Sequence, residues 1–162
     1  MENVKTFKYV DYLWDEEKAA SFGDDQVALF LYRSNILGAD LRITNYGGGN
    51  TSCKTIEKDP LNNEEVEVMW VKGSGGDIGT LTRKGIAGLY TERLRNLKNV
   101  YGGLADEDRM VGLFDHCIFD LESKAPSIDT PLHGLLPFKH IDHLHPDALI
   151  AVAAAKDSET TT

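Results

Sequence analysis

The chain has 162 residues, 41% of them hydrophobic and 27% charged, which is typical of one soluble globular domain with a hydrophobic core. Its 26 acidic residues outnumber the 17 basic ones, and the net charge of −9 argues against a nucleic-acid partner or an anionic membrane surface. No apolar run approaches about 18 residues, so we predict no membrane-spanning segment.

The two cysteines, Cys53 and Cys117, are far apart in the sequence and form no CxxC motif. No signal peptide is recognisable at the start of the chain. We therefore expect reduced thiols and a cytoplasmic location.

Residues 1–23 are charged and dotted with aromatic side chains, and we predict an arm that packs on the domain or on a neighbouring subunit. Residues 24–162 are predicted to form the domain. Its first helix is expected to be capped by Asp24 and Asp25 and to end at Gly38, since glycine commonly terminates helices.

A first glycine-rich loop contains three consecutive glycines, residues 47–49, followed by Asn50, Thr51 and Ser52. Two interpretations are open. The loop is either a simple hairpin turn, or a concave anion site built from backbone N–H groups and side-chain donors. It matches neither the GxGxxG pattern nor the P-loop.

A second glycine-rich loop, residues 72–77, follows directly on an alternating segment, residues 65–71, that we predict to be a strand. Loops at strand ends are common ligand sites in α/β folds. Two such loops favour an anion-binding function more than one does. Lys72 is interpreted either as a phosphate partner or as a plain surface charge.

The spacing of apolar residues predicts a helix from Leu81 to about Asn99, ended by Gly102 and Gly103. Residues 106–119 are predicted to form a further short helix. His116, within it, is expected to be a surface or core histidine rather than a metal ligand.

Asp129 and Thr130 are natural cap residues for a helix with Pro131 in its first turn. The predicted apolar face of that helix comprises Leu132, Leu135, Leu136 and Phe138. Two interpretations of Asp129 are open: a helix cap, or a carboxylate held close to a metal site. His133 is expected to lie on the helix face.

Three of the five histidines fall within residues 140–145, and two of them form the pair His143-Leu144-His145. In an extended segment both imidazoles project to one face, about 6–7 Å apart along the strand. Such a pair can bind one divalent cation at about 2.0–2.1 Å from each nitrogen. Pro146 is expected to end the strand, and Asp147 to begin a helix.

Taken together, these stretches resemble the class II aldolase/adducin superfamily. More closely, they are similar to the aldolase half of bifunctional rhamnulose-1-phosphate aldolase/short-chain dehydrogenase proteins. Four motifs over about residues 25–155 carry the resemblance: residues 49–52 (Gly-Asn-Thr-Ser), residues 70–75 (Trp-Val-Lys-Gly-Ser-Gly), residues 126–129 (Pro-Ser-Ile-Asp) and residues 143–146 (His-Leu-His-Pro).

The resemblance implies a three-layer α/β/α sandwich around a mixed, largely antiparallel sheet, usually in a homotetramer. It implies Zn²⁺ bound by three histidines, two of them His143 and His145. The third is expected beyond the end of this chain, so the domain is expected to be incomplete at its C-terminus. Asp129 stands where the family has its catalytic acid/base, normally a glutamate. The residues implied to hold the substrate phosphate are Gly49, Asn50, Ser74, Gly75 and Ser127.

The implied reaction is zinc-dependent retro-aldol cleavage of a ketose 1-phosphate, of the rhamnulose 1-phosphate type, to dihydroxyacetone phosphate and an aldehyde. Two alternatives remain open. One is a non-catalytic, adducin-like assembly module, which would lack the metal-binding histidines. The other is a pentulose-phosphate 4-epimerase on the same scaffold.

Overall fold

An antiparallel sheet of four strands organises the chain. The strands are β1 (Asn50–Lys58), β2 (Glu65–Lys72), β3 (Ile86–Tyr90) and β4 (His140–His143), in the order β3-β2-β1-β4. Every strand pair is antiparallel. The structure is a computed structural model, and it describes residue 8, residues 11–103, residue 105 and residues 107–158.

Helices and short 3₁₀ turns fill the connections between the strands. The described helices are α1 (Glu16–Ala20), α2 (Gln26–Ala39), α3 (Thr91–Asn96), α4 (Glu107–Gly112), α5 (Thr130–Leu135) and α6 (Asp147–Ala154). The 3₁₀ turns are Ile78–Thr80, Arg83–Gly85, Leu97–Asn99 and Phe114–Cys117.

Successive side chains along each strand point to opposite faces of the sheet. Both faces are covered by packed residues. On one face Met69 and Leu89 pack with Leu94 of α3 and with Phe114. On the other face Cys53, Trp70 and Ile86 pack with Val27 and Phe30 of α2. Helical segments therefore cover both faces, and the predicted α/β sandwich is confirmed. The described sheet is wholly antiparallel rather than mixed.

The predicted strand over residues 65–71 is confirmed as β2, and the predicted first helix as α2. The Asp25 carboxylate caps α2 by accepting a hydrogen bond from the N–H of Ala28. Gly38, however, lies within α2 and does not end it. A Cβ at this position would lie 2.1 Å from the backbone nitrogen of Gly79, so this glycine permits a close approach between two backbone segments.

The predicted helix from Leu81 to Asn99 is wrong, because its centre is strand β3. Ile86 and Leu89 pack on opposite faces of the sheet, whereas one helix face would have carried both. Gly88 lies against the ring of Trp70 on β2, where a Cβ would come within 2.7 Å of the indole. Only residues 91–96 are α-helical.

The segment 106–119 is not one helix either. It contains α4 and, after it, the 3₁₀ turn Phe114–Cys117; Asp106 lies outside the described residues. His116 is exposed at the surface, in agreement with its predicted non-ligand role.

Helix α5 begins where predicted but buries a different face. Leu132 and Leu135 are each 49% exposed, and Phe138 lies beyond the helix end and is 63% exposed. The buried members of α5 are Thr130, His133 and Gly134.

The Lys54 ammonium of strand β1 lies at the end of α5, where Pro137 disfavours continuation of the helix through Leu136. It donates to the carbonyl oxygens of His133 at 3.0 Å, Leu136 at 2.8 Å and Phe138 at 2.7 Å. The free carbonyls at the end of a helix favour a cation.

The predicted arm is described from residue 11 onwards and at Lys8; the rest of it lies outside the described residues. The described part packs on Tyr32 of α2. The rings of Trp14 and Phe22 lie 5.4 Å and 5.5 Å from the Tyr32 ring, and the N–H of Asp15 donates to its hydroxyl at 3.0 Å. Packing against a neighbouring subunit stays a prediction.

Cys53 and Cys117 are both buried and unpaired. Burial raises the pKa of the Cys53 thiol to about 12. Among the described residues, none of the helices has the length and apolar character needed to cross a bilayer.

Candidate functional site

His143 and His145 point to one side, at the end of strand β4. β4 pairs with the start of β1, so that Asn50 lies opposite His143. The two Nε2 atoms are 3.1 Å apart, and the ring centroids are 4.7 Å apart. Two nitrogens of a tetrahedral zinc site lie about 3.3–3.4 Å apart, given Zn–N distances of about 2.0–2.1 Å. The separation of the two Nε2 atoms is that of a hydrogen bond between the rings, and it is also close to the separation of two ligands of one ion.

The triple-glycine loop lies directly against these histidines. A Cβ at Gly48 would lie 3.0 Å from Nδ1 of His145. A Cβ at Gly49 would lie 2.7 Å from the carbonyl oxygen of His143, and Gly49 also has φ +77°. A side chain at Gly48 or Gly49 would come too close to the residues that carry the imidazoles, so the close packing there requires glycine.

Two backbone N–H groups of this loop are already bonded within the chain. The N–H of Gly47 donates to the Asp77 carboxylate at 2.7 Å, and that of Gly48 to the Asn45 carbonyl at 3.2 Å. Asp77 also accepts from the N–H of Gly79 at 2.5 Å. The Asp77 carboxylate thus accepts an N–H group that the anion-site interpretation of this loop would have offered to a ligand.

A hydrogen-bonded line of side chains runs from β1 to Asp129, whose carboxylate lies near His143. Nδ2 of Asn50 donates to the Ser127 hydroxyl at 2.9 Å, and that hydroxyl donates to Oδ2 of Asp129 at 3.1 Å. The other carboxylate oxygen, Oδ1, lies 3.9 Å from Nδ1 of His143. Oδ1 of Asn50 and Nδ1 of His143 are both buried without a hydrogen-bond partner within the described part of the chain.

Asp129 holds the N-cap position of α5, yet its side chain makes no capping hydrogen bond. Its carboxylate turns instead toward Ser127 and His143. Of the two interpretations of Asp129, this geometry favours a carboxylate beside the histidines.

The second glycine-rich loop lies beside the Ser127 segment. Gly73 forms a β-bridge with Pro126, and the N–H of Ser74 donates to the carbonyl of Ala125 at 2.9 Å. The N–H groups of Gly75 and Gly76 have no acceptor among the residues described. Gly75 has φ +68° and open space around it. Two N–H donors are therefore available here for a ligand.

Lys72 is buried at the end of β2, with only 5% of its surface exposed, so it is not a plain surface charge. Its ammonium donates to the carbonyl of Gly73 at 3.4 Å. Burial lowers the pKa of Lys72, and the Asp129 carboxylate acts in the opposite direction. Nδ2 of Asn50 lies 3.5 Å from the carbonyl oxygen of Lys72 and so connects this loop to Ser127.

The sequence interpretation missed His133, which is fully buried. Its Nδ1 lies 2.8 Å from the Ser52 hydroxyl, and its Nε2 has no partner within the described residues. Burial lowers the pKa of His133 to about 4, against an opposing effect of Asp129. The available signal was the spacing of Asp129 and His133, which are four positions apart and so lie on one face of a helix.

The remaining histidine of the cluster, His140, alternates with His143 along β4 and so lies on the opposite face of the strand. In the part of the chain that the structure describes, no three His, Cys, Asp or Glu side chains form a group able to hold a metal ion. His143 and His145 fit as two ligands, and the third ligand stays a prediction for residues beyond Thr162.

Comparison with known proteins identifies a family for most of the chain. Residues 31–161 match the family model described as the class II aldolase and adducin N-terminal domain. The chain is 43% identical over 150 residues to a Bacillus subtilis (strain 168) protein named uncharacterized oxidoreductase YuxG. That match covers 93% of this chain and 21% of the relative, so the chain spans about a fifth of the relative's length.

A solved structure, that of the N-terminal class II aldolase domain of a conserved protein from Thermoplasma acidophilum, superposes with a TM-score of 0.77 at 28% identity. The superposition covers 91% of this chain and 65% of that one. The family match over most of the chain, the shared fold and the paired histidines lead to one conclusion: this chain belongs to the class II aldolase and adducin N-terminal domain family.

Proposed function

We propose that the chain is the aldolase part of an enzyme that cleaves a ketose 1-phosphate, of the rhamnulose 1-phosphate type, to dihydroxyacetone phosphate and an aldehyde. The observation that carries this proposal is the pair of Nε2 atoms of His143 and His145, 3.1 Å apart, next to the Asp129 carboxylate. A purely structural member of the family has no need for two converging imidazoles beside a carboxylate.

His143 and His145 would hold Zn²⁺, together with a third histidine predicted beyond Thr162. When bound, zinc supplies a Lewis acid for the negative charge that develops on the substrate carbonyl oxygen. The Asp129 carboxylate oxygen Oδ1 lies 3.9 Å from Nδ1 of His143. A carboxylate at this point favours the ring orientation in which Nε2 faces the metal.

In the retro-aldol step a base takes the proton of the C4 hydroxyl, the C3–C4 bond breaks, and its electron pair passes toward C3 and the carbonyl. A proton is later delivered to C3. Asp129 is our candidate for these transfers, and the 3.1 Å hydrogen bond from Ser127, which orients the carboxylate, supports it. Aspartate is one methylene shorter than the glutamate usual in the family.

The line from Asn50 through Ser127 to Asp129 also limits which groups can bind phosphate. The Ser127 hydroxyl donates to Asp129, and the Asn50 amide donates to Ser127 at 2.9 Å and to the Lys72 carbonyl oxygen at 3.5 Å, so these donors are engaged within the chain. The unpaired Oδ1 of Asn50 suits a substrate hydroxyl. We therefore propose that Asn50 and Ser127 position Asp129. The rest of the substrate site would be lined by Ser74, Gly75 and the loop at Gly49.

The first test is metal content and cleavage activity of the protein as its gene encodes it in full. We expect about one zinc per chain, lost in His143→Ala and His145→Ala and retained in the control His116→Ala, whose histidine lies at the surface. Formation of dihydroxyacetone phosphate from rhamnulose 1-phosphate is followed by coupled reduction. Protein without zinc and without this product would refute the aldolase proposal.

The same assay separates the alternatives. Epimerisation of ribulose 5-phosphate without cleavage would identify the pentulose-phosphate 4-epimerase, and the absence of both activities together with a stable oligomer would favour the adducin-like module. The family's homotetramer is proposed here as well, and sedimentation tests it.

The name of the Bacillus subtilis relative contains the word oxidoreductase, and this chain matches about a fifth of that protein's length. We infer that the aldolase part is joined to a dehydrogenase in a bifunctional protein. Sequencing of the complete gene product tests this inference: a nucleotide-binding GxxxGxG motif would support it, and a product that ends with the aldolase domain would refute it.

A further inference from the structure

A cleft separate from the paired histidines lies between the N-terminal arm and helix α2. It consists of two cavities, one of about 260 Å³ and one of about 200 Å³. Trp14, Arg33 and Asp142 line both cavities, so the two adjoin. Asp142 precedes His143 on β4, and neighbouring side chains of a strand point to opposite faces. The cleft therefore lies on the other face of β4 from the candidate metal ligands.

The walls of the larger cavity are mostly apolar. Tyr12 is 44% exposed and Leu13 is 43% exposed, so this part of the arm leaves apolar surface open to solvent. An apolar cavity of about 150 Å³ can hold a benzene ring, and the larger cavity therefore has room for one ring with a polar substituent. The apolar residues that line it are Tyr12, Leu13, Trp14, Ile36, Leu37 and Ile43.

The ion pair of Arg33 and Asp142 supplies the polar groups that both cavities share. Arg33 uses one terminal nitrogen, Nη2, which donates to Oδ1 of Asp142 at 2.9 Å and to the Ser52 carbonyl at 2.8 Å. Within the residues that the structure describes, Nη1 of Arg33 and Oδ2 of Asp142 make no hydrogen bond. The pair thus offers a ligand one donor and one acceptor side by side.

The charges around the cleft disfavour an ionic ligand. A ligand carboxylate would meet Asp142, and a ligand cation would meet Arg33. Two further carboxylates of the lining, Asp11 and Asp40, already accept hydrogen bonds from Arg42 at 2.9 Å and 2.8 Å. An uncharged primary carboxamide matches the pair, because its carbonyl oxygen accepts and its NH₂ group donates.

We propose that this cleft binds a small, uncharged primary carboxamide carried on an apolar ring. The amide carbonyl accepts from Nη1 of Arg33, the amide N–H donates to Oδ2 of Asp142, and the ring occupies the apolar cavity beside Trp14. The site uses none of the residues assigned to the sugar phosphate or the metal. The inference therefore holds or fails independently of the proposed function.

The first test compares three probes of nearly the same shape by calorimetry with the full-length protein: benzamide, benzoate and benzamidinium. We expect benzamide to bind with a Kd of about 1 mM or below, as ligands of this size can. Each ion lacks either the donor or the acceptor and should bind at least about tenfold more weakly. No binding of benzamide, or an ion that binds as tightly, would overturn the inference.

Two substitutions locate the binding. Leu13→Trp fills the larger cavity from the partly exposed arm and is expected to weaken benzamide binding by at least about tenfold. Its matched control is Leu61→Trp, at a hairpin position that is 93% exposed and outside the cleft, where binding should be unchanged. Circular dichroism verifies that both variants fold. Equal binding in the two variants would contradict the proposed location.

Asp142→Ala tests the polar contacts, because it leaves Arg33 without its carboxylate. Benzoate should then bind better than benzamide by about tenfold, a reversal of preference that loss of packing alone would not produce. Asp115→Ala, which removes an exposed carboxylate outside the cleft, should keep the preference for benzamide. A folded Asp142→Ala protein that still prefers benzamide would overturn the assigned contacts.

A last measurement needs no substitution. During titration of the wild type with benzamide, the indole N–H signal of Trp14 is expected to shift in the NMR spectrum. The indole N–H of Trp70 is the internal control, because it donates to the Thr55 hydroxyl at 2.9 Å and lies outside the cleft. A shift at Trp70 without one at Trp14 would place the binding elsewhere and overturn the inference.

Discussion

The buried histidine His133 makes the stability of the fold depend on pH. Burial lowers its pKa to about 4 from the usual 6.5, so the folded chain keeps it neutral where the unfolded chain already takes up a proton. Above the pKa that His133 has in the unfolded chain, its ring is neutral in both the folded and the unfolded state and has no effect on the pH dependence of stability. As the pH falls from 6.5 toward 4 the unfolded state gains protons first, and stability is lost.

The size of this effect follows from the two pKa values. Between about pH 8 and about pH 5, their difference lowers the free energy of unfolding by about 2 kcal/mol. His133→Asn removes the titrating ring, and its amide can replace Nδ1 as the partner of the Ser52 hydroxyl. We therefore expect the wild type to lose about 2 kcal/mol more than His133→Asn over this pH range.

Urea unfolding at both pH values measures the difference, because all other titrating groups are common to the two proteins and cancel. His116→Asn is the matched control: His116 is exposed, and its loss should leave the pH dependence of the wild type unchanged. Equal pH dependence in the wild type and His133→Asn would refute the reasoning, since the ring would then titrate alike in the folded and unfolded states.

Three further predictions concern stability and are measured by thermal or urea unfolding. Lys54→Met leaves three carbonyls at the end of α5 without their cation, and we expect a loss of about 2–4 kcal/mol; a loss below about 0.5 kcal/mol would contradict this role. Gly49→Ala combines a positive φ with a Cβ 2.7 Å from a β4 carbonyl oxygen, so it should cost at least about 2 kcal/mol more than Gly47→Ala, which has a positive φ but open space. Similar losses in both would show that β4 moves aside. Asp25→Ala removes the cap of α2 and should cost about 1 kcal/mol, whereas Asp24→Ala, which removes no cap, should be neutral; equal effects would argue against the cap.

Elements with strong local signals were predictable from the sequence. The alternation of residues 65–71 and the Asp25 cap of α2 are each decided by neighbours within a few positions. β3 was not predictable in this way, because the spacing of Ile86 and Leu89 also fits a helix. The strand conformation depends on β2, where the Trp70 ring lies against Gly88.

The end of helix α5 combines a local signal with a contact that is distant in the sequence. Pro137 disfavours continuation of the helix through Leu136 and is visible in the sequence. Lys54 reaches the Phe138 carbonyl across 84 residues, and a pattern read along the chain contains no sign of that lysine. The same applies to Asp77, which occupies the N–H of Gly47 from 30 residues away.

Within the candidate site, the local motifs identified the side chains that could do chemistry. His143 ends β4 and His145 follows it by two residues, and this spacing, which the sequence pattern carries, is the one that brings both imidazoles to one side. The roles proposed for Asn50 and Ser127 come from the structure, because their mutual hydrogen bond is not visible in the sequence.

The two glycine-rich loops look alike in the sequence but differ in their hydrogen bonds. In the first loop the N–H of Gly47 donates to Asp77, and Gly49 packs closely against β4 behind the histidines. In the second loop the N–H groups of Gly75 and Gly76 have no acceptor among the described residues. If the protein binds a sugar phosphate, these two loops set the distance between its reacting carbons, at the histidines, and its phosphate. Binding energy gained at the phosphate then positions the carbons for reaction, as expected where orientation contributes a large part of the rate.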